Sequence, residues 1–551
     1  MYKVKKKHMA AAAALIMSAA LMLSGCSAGN SADTAGSSTE TAGEAAGSTE
    51  AAEAPVTKAA PAEVQSKSAP AAAEKDEAEE TADNGSVKGD RPEYRIESES
   101  YAAKSEYFYG DFERVYITDD NHPVLKKAVD DYFTASRKDF DKMCKNYEAE
   151  EEEVNKEALA SDDEFSHVMY YSCGTYCKVK RADSKVFSIC IDEYSYTGGA
   201  HGTSYSYGVN FDTETGEILA ARDIGDVAPT VEEYVLKTIE ASGEEAEEGM
   251  FPEYKETVHS MLSKGMDEMA WWFDDLRLVT AFQQYDIAPY AAGILEFGVP
   301  CTELEGFNEK YLPDGDFAYV PLHDNGFADI LDVDSDGKED TVWIETLHEE
   351  DSYNDTFVLH KNDESKALRF EYYYSTSHAY VHSDSGDYLF ITATTDNDWR
   401  DTEMYDAKTL RLIQEIEGGI SNVDEEKLTV STRQQALGTW GAEKDYSYGP
   451  DGITTDQDTY RINNNAAGDN RKSLTLLQDL DYHTEPGKEN TETLKKGSKI
   501  YPVEIGKNEA GFETESGEKG YISFETDEEE GGIKVNGINE NKLFDGIVYA
   551  G

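Results

Sequence analysis

Tyr196-Thr-Gly-Gly-Ala-His-Gly202 stands between two apolar segments, Val186-Phe-Ser-Ile-Cys-Ile-Asp192 and Tyr207-Gly-Val-Asn-Phe-Asp-Thr-Glu-Thr-Gly-Glu-Ile-Leu219. The tandem Gly198-Gly199 lets the backbone take conformations closed to residues with a side chain, so the stretch predicts a sharp, specified connection between strands. Upstream, residues 167–180 and 185–194 read as a hairpin, and residues 94–117, rich in Tyr, Phe and Val, as one or two strands. Asn121-His-Pro123 opens a helix, with Val124, Leu125, Ala128, Val129, Tyr132, Phe133 and Phe140 at helical spacing. The acidic run 148–153 lies beyond that apolar face and reads as solvated. Downstream, residues 231–239 and 251–269 predict helices, and 271–273, 278–282 and 294–299 predict strands. Together these make an α+β module, an antiparallel sheet with helices over one face.

The block resembles the extracytoplasmic domain of RsiV-type anti-sigma factors, which also occurs ahead of some peptidoglycan deacetylase domains and in many lipoproteins. The resemblance spans about residues 94–307 and rests on the Tyr196–Gly202 stretch, on Tyr285-Asp-Ile-Ala-Pro-Tyr-Ala-Ala-Gly293 and on Phe297-Gly-Val-Pro300. It implies a non-catalytic domain outside the membrane, in some members a sensor or binder of lysozyme. On this reading Tyr196, Gly198, Gly199, His201, Tyr285 and Tyr290 are the candidate ligand-contacting residues.

The chain of 551 residues carries 112 acidic against 50 basic residues, a formal net charge of -62. Such a surface repels phosphate backbones and excludes nucleic acid as a partner, while it favours basic proteins and Ca2+. Lys3, Lys5, Lys6 and Lys7 precede an apolar run from Met9 to Leu23, and Leu23-Ser-Gly-Cys26 follows. These are the parts of a secretory signal, and the last four residues resemble a bacterial lipobox, in which Cys26 is lipidated and becomes the new N-terminus. Residues 27–90 hold no aromatic residue and no Leu, Ile or Met, so they cannot bury enough surface to order themselves. As a coil they would span about 45 Å r.m.s. and act as a tether. The expected division is 1–25 signal peptide, 26–90 lipidated tether, 91–310 RsiV-like α+β domain, 311–470 β-rich domain and 471–551 SH3-like β domain. The expected location is the outer face of the cell membrane, held there by the lipid.

Six cysteines include Cys26. If Asp183 and Ser184 form a two-residue turn, Cys177 falls opposite Cys190, where an oxidising exterior would allow a disulfide. Buried free thiols are the competing reading, and a register shift of one removes the pairing. Cys144, Cys173 and Cys301 remain.

From about Leu312 the pattern is all β. Asp332-Val-Asp-Ser-Asp-Gly-Lys-Glu-Asp340 follows the apolar Phe327-Ala-Asp-Ile-Leu331 and precedes a strand, Thr341-Val-Trp-Ile-Glu345. Oxygens from Asp332, Asp334, Asp336, Lys338 (main chain) and Asp340 around a turn-making glycine suit a hard cation such as Ca2+. Trp343 stands where an EF-hand needs a bidentate Glu, so the loop resembles instead calcium loops between strands of extracellular β repeats; an acidic turn without metal is the alternative. Residues 357–360, 368–374, 388–393 and 410–416 are strand-like, and 445–469 reads as a linker. Leu494-Lys-Lys-Gly-Ser-Lys-Ile500 and Lys519-Gly-Tyr-Ile-Ser-Phe524 resemble the bacterial SH3-like barrel of cell-surface proteins.

His201 is the foremost catalytic candidate by residue type, but a base needs an orienting partner and a group to act on, and the chain contains no GxSxG elbow or HExxH helix. With so many acids, carboxylate pairs carry no glycosidase signal. The expected function is therefore a surface lipoprotein, not an enzyme, that binds a cationic protein such as lysozyme or a cell-wall component. The alternatives are a wall-associated scaffold docking peptidoglycan and an unrecognised wall hydrolase.

Overall fold

The computed structural model describes residues 91–549 except 161–166, 314, 316, 324–325, 349–354, 371, 396–398, 463–470, 489–490 and 529–530. Cys26, the signal segment and the tether lie outside the described residues. The chain is multidomain and mostly β, with few helices and several sheets, and among the described residues no sheet closes into a barrel. Among the described residues no helix is long and apolar enough to cross a membrane.

The first sheet has the order β1 (Tyr94–Ser100), β2 (Phe108–Ile117), β3 (Tyr171–Ala182), β4 (Val186–Tyr196), β5 (Thr203–Asp212). Helix α1 (Pro123–Leu159, 37 residues) separates β2 from β3. At about 1.5 Å per residue it carries the chain about 55 Å. Strands β2 and β3 consequently run parallel, Phe108 beside Tyr171 and Gly110 beside Cys173, and the expected all-antiparallel sheet is corrected at this one pair.

Alternation along the strands decides what each face meets. Phe187, Ile189, Ile191, Val209 and Phe211 face α1 and share a core with its Leu125, Val129, Phe133, Phe140 and Cys144. Ser188, Cys190, Gly208 and Asn210 face the other way, against β6 (Ala270–Phe273) of a three-stranded sheet completed by β7 (Arg277–Phe282) and β8 (Leu295–Pro300). A side chain at Gly208 would collide with the Trp271 carbonyl, so glycine sets how closely β6 lies on β5. Ser188 Oγ accepts from Phe273 N at 3.0 Å and donates to Asn210 Oδ1 at 2.6 Å. Helices α2 (Ala228–Ala241) and α3 (Tyr254–Leu262) cover the second sheet with Val231, Val235, Ile239 and Val258. The expected helix over 251–269 stops early, at Leu262, and Gly265 takes φ +84° soon after.

Two expectations fail here for local reasons. Asp183 Oδ1 accepts from both Lys185 N (2.9 Å) and Val186 N (2.7 Å), which lengthens the β3–β4 turn so that Ala182 faces Phe187. A bulge between Val179 and Arg181 then shifts the register again, and Cys177 faces Ile191 while Lys178 faces Cys190. Cys177 belongs to the α1 side and Cys190 to the Trp272 side, so the Cys177–Cys190 disulfide is ruled out by the sheet between them. The acidic run is also not solvated throughout. Glu148 and Glu151 are 5% and 1% exposed, and Glu148 accepts from Ser105 N (3.0 Å), Lys104 N and Tyr101 Oη (3.2 Å). Burial raises its pKa, but those donors outweigh it and hold the carboxyl below its ordinary value.

Beyond Leu312 a four-stranded sheet runs β10 (Asp329–Leu331), β11 (Asp340–His348), β12 (Asp355–Lys361), β13 (Glu364–Ala367). A five-stranded sheet has the order β17 (Arg411–Glu417), β16 (Arg400–Asp406), β15 (Gly386–Thr394), β14 (Ser375–Ser383), β9 (Ala318–Pro321). Residues 368–374 were expected as a strand; those described there form an irregular link, with Tyr372 at φ +70°. Part of the expected linker is also strand: Thr439–Gly449 reaches past residue 445, Gly452–Thr454 pairs with it, and Thr459–Ile462 joins it to Lys499–Gly506. One continuous sheet therefore runs from Gly419–Val423 through to Lys519–Thr526.

The module with α2 and α3 is fastened to the β region by buried charge. Arg277 pairs with Asp274 (2.8 Å) and Asp329 (2.5 Å) and donates to the Pro321 carbonyl (2.7 Å), its side chain 5% exposed. Gly298 makes room for it, since a Cβ there would lie 2.6 Å from Nε.

Candidate functional site

The Tyr196–Gly202 turn closes the β4–β5 hairpin at one end of the first sheet. Gly198 and Gly199 take φ +83° and +101°, as a turn of this shape requires. Tyr196 Oη donates to the Gly199 carbonyl at 2.9 Å and braces the turn on itself. Gly202 lies on the ring of Tyr194, where a Cβ would come within 2.4 Å of the hydroxyl. His201 is thereby carried outward and is exposed.

The second motif arrives from β7. The turn after it is closed by Asp286, whose N donates to the Gln283 carbonyl (2.9 Å) and whose carboxylate accepts from Gln283 N (2.7 Å). Tyr285 in that turn has φ +69°, a conformation that side-chain-bearing residues seldom adopt. Gln283 then reaches across to β5: its Oε1 accepts from Ser206 N (3.1 Å) and its Nε2 donates to Ser206 O (2.9 Å). This amide clamp brings the loop beside the hairpin.

The imidazole of His201 stacks on the Tyr290 ring, centroids 4.1 Å apart and planes 19° from parallel. Tyr285 leans on Tyr290 at 5.6 Å and is 45% exposed. The Tyr290 hydroxyl is turned inward, away from solvent. Tyr205 on β5 is 44% exposed; burial raises its phenol pKa, and Asp286 and Glu193 add to the rise. Burial pushes Tyr194 up to about 12, with Tyr196 and Tyr290 contributing, so these phenols stay neutral at physiological pH. The result is an aromatic corner with a carboxylate margin. Of the residues singled out from sequence, His201, Tyr285 and Tyr290 meet here, Gly198 and Gly199 shape the turn, and Tyr196 supports it. Gln283 and Tyr205 were not singled out; no sequence pattern marks a glutamine as a clamp.

The Asp332 loop joins β10 to β11. Carboxylate oxygens of Asp332, Asp334 and Asp340 lie within 4.8 Å of one another. Ser335 at φ +56° and Gly337 at +81° fold the loop, and Asp332 accepts from Asp336 N (3.1 Å) and Gly337 N (2.8 Å). Asp336 is not in the group: its carboxylate pairs with Lys338 Nζ at 2.8 Å in solvent. Lys361 Nζ sits on Asp334 Oδ2 at 2.8 Å, while Asp334 Oδ1 is buried without a hydrogen-bond partner among the described residues. Burial raises the Asp340 pKa against the pull of Asn362 and Lys361. The donors are hard oxygens, which fit Ca2+, but three carboxylates fall short of the 6–8 oxygens it takes and the ammonium competes for the same charge. Glu339 in this loop also binds Lys237 of α2 at 2.6 Å.

Two family models match the chain. Residues 97–204, which hold the first sheet up to the His201 turn, match the model described as Deacetylase PdaC. Residues 228–302, from α2 to the end of β8, match the model described as Protein of unknown function (DUF3298). Among solved structures, the chain resembles a DUF3298 family member from Bacteroides fragilis at 18% identity and TM-score 0.32, covering 40% of this chain and 95% of that one. It also resembles a DUF3298 family protein from Pseudomonas aeruginosa at 16% identity and TM-score 0.24, covering 41% and 98%. No curated protein matches the chain.

Proposed function

We propose that this is an exported lipoprotein, anchored at Cys26, whose RsiV-like module binds an extracellular ligand at the His201–Tyr290 corner without turning it over. The observation that carries the reading is the meeting of two motifs far apart in sequence, with His201 stacked on Tyr290 and Tyr285 beside it at the surface. Tyrosines offer large, rigid contact area at small entropic cost, which suits recognition. The net charge of -62 favours a cationic protein such as lysozyme, with fast encounter and affinity that falls with salt. Calorimetry with lysozyme at low and moderate salt is the test; no heat at either discards lysozyme as ligand.

The Asp332 loop enters the proposal as a Ca2+ site, supported by its three converging carboxylates and the buried Asp334 Oδ1. The C-terminal strands enter it as an SH3-like wall-binding element, which retention of the full chain on purified sacculi would test.

A second reading comes from the match of residues 97–204 to the model described as Deacetylase PdaC: a hydrolase that releases acetyl groups, for which an N-acetylated wall glycan is the substrate to try. The three-carboxylate group lies outside the residues that match that model. Acetate release from N-acetylated wall glycan, abolished by His201→Ala, would establish this reading against the binding one.

A further inference from the structure

Two of the five described cysteines share one place in the first core. Cys144 on α1 and Cys173 on β3 are 0% and 1% exposed, and their Sγ atoms are 3.0 Å apart, inside ordinary sulfur contact. Gly110, beside Cys173 in the parallel pair, leaves the opening: a Cβ there would stand 3.0 Å from Cys144 Sγ. The other three are placed apart. Cys177 Sγ donates to the Glu113 carbonyl at 3.4 Å, Cys190 faces Trp272, and Cys301 lies in the core under α2 and α3.

We propose that Cys144 and Cys173 form a disulfide that fastens α1 to β3, while Cys177, Cys190 and Cys301 remain thiols. The proposal needs an exported chain but not a particular ligand. An S–S bond forms and two S–H bonds break, while the S–S bond of an extracytoplasmic thiol–disulfide oxidoreductase breaks and takes up the two electrons and the two protons as a dithiol. The step belongs to folding, before the helix closes over the sheet. Once the core is shut, the hydrogen bond with Cys144 and burial push an unoxidised Cys173 thiol far up, so an oxidant finds no thiolate there. A helix docked on a sheet by apolar contacts alone can slide or lift, whereas a covalent tie at mid-helix fixes its registry.

The test uses the full-length protein exported by its producing cell, alkylated at lysis, denatured, and mapped by mass spectrometry with and without reduction. The expected result is a cross-linked peptide joining Cys144 to Cys173, with Cys177, Cys190 and Cys301 alkylated before reduction. Alkylation of all five without reduction, or a cross-link between any other pair, overturns the proposal. As a second readout, reductant is expected to lower the melting temperature of wild type and of Cys301→Ser, but not that of Cys144→Ser or Cys173→Ser. Equal sensitivity in all four proteins also overturns it. If the serine variants do not fold, the peptide map alone decides.

Discussion

His201 and Tyr290, 89 positions apart in the chain, lie ring on ring at 4.1 Å. An anchor tyrosine at the centre of an interface typically costs more than 1 kcal/mol when truncated. Tyr290→Ala is therefore expected to weaken lysozyme binding about tenfold or more, at about 1.4 kcal/mol per tenfold. His201→Ala should cost about 0.5–1.5 kcal/mol, the worth of a ring pair. Tyr290→Phe should bind like wild type, because its hydroxyl is turned inward. Calorimetry on variants with unchanged circular dichroism checks all three; wild-type affinity in Tyr290→Ala would remove the corner from the interface.

Asp329 carries charge from both Arg277 (2.5 Å) and His323 (2.9 Å) while itself buried. Removing one partner of a buried pair strands the other, at a cost of about 3–5 kcal/mol. Asp329→Ala is expected to lower the urea midpoint of the α2–α3 module and to speed amide exchange in β7 and β8. A loss below about 1 kcal/mol would mean that water replaces the carboxylate and that Arg277 is not a fastening.

The Asp275 carboxyl is shifted upward. Burial pushes its carboxyl from 3.8 up to about 7, against the hydrogen bond from Tyr319 N and the charge of Arg91. A folded pKa above the unfolded one means that the native state holds a proton which the unfolded chain has lost. Stability from this group is present below about pH 4 and declines as pH rises to about 7. Asp275→Asn should then raise the melting temperature at pH 8 and leave it unchanged near pH 4. A uniform shift at both values would point to lost packing instead of titration.

Calcium binding at the Asp332 loop predicts a rise in melting temperature on adding Ca2+ to chelator-treated protein and none in Asp334→Ala. Lys361→Met should strengthen the response by removing the competing ammonium. Identical melting with Ca2+ or chelator in both wild type and Lys361→Met would leave an acidic turn only.

What the sequence disclosed follows the range of the interactions concerned. Helical spacing found Leu125, Val129, Phe133 and Phe140 because periodicity is local, and the tandem glycines marked their turn for the same reason. The buried Glu148 was missed because its donors sit on residues 101–105, far back in the chain. The Cys177 register failed by one position because a single carboxylate, Asp183, holds two amides and lengthens by two a turn whose composition looks like a two-residue one, and the bulge between Val179 and Arg181 gives one position back. Family resemblance alone named His201 and Tyr290 as candidate contacts, and their stacking on each other is visible only in the structure. No spacing rule links a hairpin turn to a loop that depends on Gln283.

That glutamine also determines which chemistry can approach from the side. β5 is the outer strand of its sheet, and such a strand ordinarily offers free amides and carbonyls on which a foreign peptide can lie down as one more strand. At Ser206 both groups are already taken by the Gln283 carboxamide, a mimic of a neighbouring backbone one residue long. An extended peptide therefore finds no free pair of backbone groups at that point on which to continue the sheet.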